Sequence, residues 1–116
     1  MTDVYIKTPE PLVNENSSFT ATAYFRSGGT ASASATNSQY RVDNLSTGKE
    51  LKDWTSLTPA VSINISILSA WNKIQDDSND FEEMQLTVAS DRGETGATYS
   101  NVTWKVKNIY GYIKNA

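Results

Sequence analysis

The chain contains no cysteine and no histidine. Their absence excludes thiol nucleophiles, disulfide frameworks, Ser–His–Asp triads and most zinc sites. Basic residues are also in the minority. Ten Lys and Arg stand against 13 Asp and Glu, a net charge of −3. That balance speaks against nucleic acid as a partner, because phosphate binding calls for a basic face. No stretch approaches the ~18 apolar residues of a membrane-spanning helix. The most apolar segment, residues 61–68, is interrupted by serines and an asparagine. No membrane insertion is therefore expected. The N-terminus, Met1-Thr2-Asp3-Val4-Tyr5-Ile6-Lys7, lacks the basic start and apolar run of a secretory signal. The expectation is a soluble chain made without a leader, or one from which a leader has been removed. Helical periodicity is nearly absent as well.

What the chain does contain is period-two alternation. Hydrophobic residues make up 38% and charged residues 20% of 116 residues. A chain of that length and composition folds as one domain, spanning 1–116. Residues 4–7 read as a short strand stopped by Pro9 and Pro11. Phe19, Ala21, Ala23 and Phe25 alternate with polar partners up to Gly28-Gly29. Residues 30–36 are a small-residue connector. Residues 39–45 form a strand with Tyr40, Val42 and Asn44 on one face. Ser46-Thr47-Gly48-Lys49 is a turn, and residues 51–55 form a short strand carrying Trp54. In residues 60–68, Val61, Ile63, Ile65 and Ile67 alternate with Ser62, Asn64 and Ser66. β-branched residues in that pattern favour a strand over a helix. Ser69 is positioned to cap one helical turn through Trp71 and Ile74. Residues 83–89 place Met84, Leu86 and Val88 inward. Residues 99–108 place Val102, Trp104 and Val106 inward. Seven strands separated by turns predict an all-β fold, a seven-stranded antiparallel β-sandwich of immunoglobulin-like or fibronectin type III-like kind. Its core covers about 4–108, and a tail follows over 109–116. A small barrel is the competing architecture.

Candidate chemistry is sparse. Asp76, Ser78 and Asp80 have the alternate spacing that begins a calcium loop, but Phe81 and Thr87 stand where a glycine and a bidentate glutamate are needed. A solvated turn is the simpler reading, with no metal and no cofactor. Nothing fixes two carboxylates across a cleft, so no catalytic residue and no enzymatic activity are expected. Four N-x-Ser/Thr triplets, at Asn16, Asn44, Asn64 and Asn101, read as polar strand and turn composition. Trp54 and Trp104 are expected as core rings, whereas Trp71 and Tyr99 fall outside the clear inward sets and are candidates for stacking on sugar rings. The segment Ile109-Tyr110-Gly111-Tyr112-Ile113 follows the last strand that the sandwich requires. Tyr110, Tyr112 and Ile113, with Tyr5 second, are the expected partner-contact residues, since tyrosine offers large contact area at low rotamer cost.

One ordered set of segments resembles a known family. It runs Tyr40-Arg41-Val42-Asp43-Asn44-Leu45, Thr47-Gly48, Asp53-Trp54-Thr55 and Ser62-Ile63-Asn64-Ile65. It continues with Glu82-Glu83-Met84-Gln85-Leu86-Thr87-Val88-Ala89 and Val102-Thr103-Trp104-Lys105-Val106-Lys107-Asn108. These segments resemble the small immunoglobulin-like and fibronectin type III-like proteins of tailed bacteriophage virions, over residues 17–113. The resemblance implies a structural or accessory protein made in the host cytoplasm and carried on the virion. Capsid decoration, neck and tail-associated positions are all open. It implies contact with other virion structural proteins in a multi-copy assembly, and weak binding of host-surface glycans as an alternative. An adhesin-type module is the remaining option. The family carries no catalytic or ligand motif to transfer.

Overall fold

The computed structural model describes residues 3–7, 11–28, 30–32 and 37–109. Within them the chain is all-β and forms two sheets. The first holds β1 (Asp3–Lys7), β3 (Phe19–Ser27), β4 (Thr30–Ala31) and β7 (Ser62–Ile67). β3 lies at its centre, with β1 antiparallel on one side and β7 and β4 antiparallel on the other. The second sheet runs β2 (Leu12–Asn14), β9 (Thr98–Lys107), β8 (Phe81–Ser90), β5 (Gln39–Asn44), β6 (Lys49–Ser56).

The alternation read from the sequence builds the core. Ala21, Ala23, Phe25, Ile65 and Ile67 from the first sheet and Val42, Met84, Leu86, Val88, Trp104 and Val106 from the second belong to one buried cluster. Ala21 and Ala23 are small, which leaves room at the centre for the larger rings. Phe19 meets the buried Trp104 edge to face, with ring centroids 5.2 Å apart, the arrangement favoured by aromatic quadrupoles. The turn after β5 holds Gly48 at φ +74°, a region that residues with a Cβ enter at a cost.

Several expectations are corrected. The described residues contain nine strands rather than seven. The two additional ones, β2 and β4, are three and two residues long, too short for any alternation to register. β2 pairs parallel with β9, so the ladders are not all antiparallel. The first two residues of the expected 30–36 connector form β4, and residues 33–36 lie outside the described residues. Val61 is 47% exposed and precedes β7; only its carbonyl joins the ladder, accepting from the Phe25 N–H at 2.9 Å. The turn at Ser69–Trp71 is 3-10, and its N-cap is Leu68, with no side-chain cap bond. Trp54 is not a core ring. It is half-buried and stands apart from the core cluster. It lies on the face opposite the core-packed Leu51, as strand alternation requires three residues on, beside the bulge between Tyr40 and Val42 in the β5–β6 ladder.

Candidate functional site

The sequence-derived candidates fall on three separate places. Tyr5 lies on β1 between Asp3 and Lys7, all three exposed, while Ile6 between them is buried. It is 57% exposed. Its register partner on β3 is Tyr24, and the two rings lie tilted at 32° with centroids 6.2 Å apart. Tyr5 and Arg26 line an open concavity of about 400 Å³. Around them the outer face of the first sheet is built from Thr20, Thr22, Asn64, Ser62 and Ser66. The Thr22 hydroxyl donates to the Asn64 side-chain oxygen at 3.0 Å. This face therefore combines a tyrosine pair with hydroxyl and amide groups, and carries Lys7 and Arg26 with it.

Tyr99 sits on the outer face of the second sheet. It is 57% exposed and meets Trp54 at 63°, with centroids 6.4 Å apart. Two guanidinium groups lie over the Trp54 ring, that of Arg92 at 4.4 Å and that of Arg41 at 5.7 Å from its centroid. Arg41 is held by a two-pronged contact to Asp43, its Nε and Nη2 donating at 2.8 and 2.6 Å, and by Glu50 at 3.3 Å. The hydrogen bond to Asp43 outweighs the partial burial of Arg41 and raises its pKa further. Arg92 is oriented by its Nη1 donating to Gln39 at 2.9 Å. Ala89 lies in register between Gln39 and Tyr99 and is fully buried without belonging to the core cluster. Its burial marks where side chains cover this face. The stacked guanidinium groups occupy the Trp54 ring, which leaves Tyr99 as the accessible aromatic.

Trp71 is in neither place. It packs partly buried against the core. It also lines a groove of roughly 360 Å³ where β6 and β7 face one another, with Tyr40, Leu57 and Leu68 beside it. The structure thus does not bring Trp71 and Tyr99 together. Tyr110, Tyr112 and Ile113 lie outside the described residues.

No family model, curated protein or solved structure matches this chain.

A buried polar network was missed by the sequence reading, which begins the strand at residue 83 and leaves Glu82 outside it. Glu82 is 1% exposed. Its Oε1 accepts from Asn44 Nδ2 at 2.9 Å and from the Gln75 N–H at 2.7 Å, and its Oε2 from the Asp76 N–H and Asn79 Nδ2, both at 3.0 Å. Burial pushes its pKa up, but these four donors outweigh burial and hold it below the ordinary glutamate value. Asn72 and Asn108, also buried, complete the network. The Trp104 indole N–H donates to Asn72 Oδ1 at 2.8 Å, and Asn72 Nδ2 donates to the Ser17 carbonyl at 2.7 Å. Asn108 Nδ2 donates to the carbonyls of Asp77 and Asn79. Residues 72–80 are therefore tied down over one end of the sheets. The signal was available in the register: Glu82 continues the inward set Met84, Leu86, Val88.

The same loop holds Asp76, Ser78 and Asp80, which have the alternate spacing that begins a calcium loop. Asp76 Oδ1 accepts from the Ser78 hydroxyl and then its backbone N–H, which holds the Asp76 carboxyl below its usual range. Among the described residues no group of three or more acidic side chains is placed to hold a metal ion. The Asp76 carboxylate shapes the loop from within.

Proposed function

We propose that this chain is a non-enzymatic structural or accessory subunit of a tailed-phage virion, built as an immunoglobulin-like, fibronectin type III-like β-sandwich and acting by protein–protein contact. Two sheets sharing one core support the sandwich reading, as does the family resemblance of residues 17–113. One observation carries the contact reading. Tyr5, 57% exposed, pairs with Tyr24 on an outer face of Thr, Ser and Asn side chains that also carries Asp3, Lys7 and Arg26. Tyrosine with small polar residues is the composition of adaptable protein-binding surfaces, and tyrosine and arginine supply most interface anchors. Many weak contacts of this kind on one particle add through avidity. Capsid decoration, neck and tail positions all fit this mode of action.

The test is incorporation. A Tyr5→Ser variant keeps the fold, because the side chain points outward, and loses co-sedimentation with particles. Co-sedimentation at the level of the unaltered chain would remove Tyr5 from the contact.

A second reading has its own observation. Tyr99 is exposed beside the Trp54–Arg92 stack, and a ring so placed suits the apolar face of a host-surface sugar. Titration with a broad oligosaccharide panel, read by tryptophan fluorescence, decides it. A saturable change that disappears in Tyr99→Ala supports glycan binding, and a flat titration ends it.

A further inference from the structure

The four sheet edges differ in how they are protected. A bare strand edge recruits other strands, and proteins ordinarily blunt it with charge, proline, a bulge or brevity. β6 carries Lys49, Glu50, Lys52 and Asp53 and faces a bulged ladder. β2 has three residues and follows Pro11. β1 has Asp3 and Lys7 at its ends. β7, Ser62-Ile63-Asn64-Ile65-Ser66-Ile67, has no charge, no proline and no bulge in its pairing with β3. Among the described residues it pairs with β3 alone.

The ladder shows which backbone groups are left. Phe25 N–H donates to the Val61 carbonyl, and these two residues continue the register Ala23↔Ile63, Ala21↔Ile65, Phe19↔Ile67. In an antiparallel ladder directly opposed pairs alternate between bonded and non-bonded. Ile63, Ile65 and Ile67 therefore bond to β3, and the N–H and C=O groups of Ser62, Asn64 and Ser66 point to the free edge. Those three side chains are exposed on the outer face.

We infer that β7 is a self-association edge and that its occupant is the β7 of a second copy of this chain, antiparallel about a two-fold axis through Asn64. That register sets Ser62 against the second copy's Ser66 and Asn64 against the second copy's Asn64. Every outward backbone group of the three residues then finds a partner. The strand is complementary to itself: isoleucines continue the core-facing side, Ser and Asn continue the outer side, and no charge meets a like charge. An isologous contact of this kind closes as a dimer. Val61 and Leu68, 47% and 49% exposed at the two ends of β7, come into the interface. The groove beside Trp71 then lies at the dimer junction. This contact uses the backbone edge of the first sheet; its Ser62, Asn64 and Ser66 side chains lie on the same outer face as Tyr5, but Tyr5 takes no part in the pairing, and the inference stands independently of the virion reading.

The experiment is the mass of the full chain in solution, by light scattering and sedimentation from about 1 μM to 1 mM. A concentration-dependent dimer is expected. Asn64→Lys sets two like charges against each other at the two-fold axis, with the fold checked by circular dichroism, and weakens dimerisation by roughly tenfold or more. An equimolar mixture of Asn64→Lys and Asn64→Glu chains restores a heterodimer. A monomer throughout the range overturns the inference. So does a dimer that the lysine variant leaves intact, or a mixture that fails to pair.

Discussion

Replacing Glu82 with glutamine changes almost no volume and removes one charge, so its consequence reads the buried network alone. In the native chain two donors converge on each carboxylate oxygen, at 2.7 to 3.0 Å. A glutamine offers one carbonyl oxygen, which can keep one pair of donors. Its amide NH2 then faces the other pair, donor against donor, inside a site that is 1% exposed. Two hydrogen bonds to a charged acceptor are lost and their donors are orphaned. At about 1–3 kcal/mol for each unsatisfied buried group, Glu82→Gln costs about 2–6 kcal/mol at pH 7. The assay is urea denaturation with an unchanged slope, since the surface exposed on unfolding stays the same. Glu83→Gln, one residue on and half-buried, is the control and stays near 0.5 kcal/mol or below. Hydrogen exchange adds a local readout, because the Gln75 and Asp76 amides that donate to Glu82 lose protection first. A loss below about 0.5 kcal/mol for Glu82→Gln, or unchanged exchange at those two amides, would refute the reasoning.

Acid tests the same site from the opposite direction. The folded pKa of Glu82 lies below its unfolded value, so its stabilisation is complete above the unfolded pKa and fades as pH falls through the folded one. The stability gap between the native chain and Glu82→Gln should therefore narrow on acidification, which denaturation at pH 7 and at pH 3 measures; a constant gap contradicts it. Asn72→Ala leaves the Trp104 indole N–H and the Ser17 carbonyl without their side-chain partner and costs about 2–4 kcal/mol, read by thermal unfolding with near-ultraviolet circular dichroism on Trp104. Arg92→Ala strips one guanidinium from Trp54 and costs about 0.5–1 kcal/mol, with a change in tryptophan emission; a shift of several kcal/mol would mean the stack carries more than surface cation–π energy.

The all-β class and the core were legible because a strand buried on one face writes its orientation every second residue. Ala21, Ala23, Phe25, Ile65, Ile67, Met84, Leu86, Val88 and Val106 are all buried for that reason. Periodicity fails where pairing is too short or irregular to repeat. β2 and β4 have no alternation to read, and the expected core ring of Trp54 lies on the outer face of a strand whose pairing is bulged opposite it. Glu82 failed differently. Its charge argued for solvent while its register argued for the core, and the register won because residues 75–79 fold back to supply the donors. Exposed rings were legible at Tyr99, a sugar-stacking candidate outside the inward sets, and at Tyr5, the second-ranked contact candidate. Their neighbours Tyr24, Trp54 and Arg92 were not, because cross-strand register cannot be read from local spacing.

The most direct measurement for the central proposal is cross-linking mass spectrometry on native particles, following Lys7. That side chain is exposed on the same strand and face as Tyr5. Cross-links from Lys7 to another virion structural protein, lost in the Tyr5→Ser variant, are the predicted result. Particles that lack the chain, or a Lys7 that reaches no other structural protein, would contradict the account.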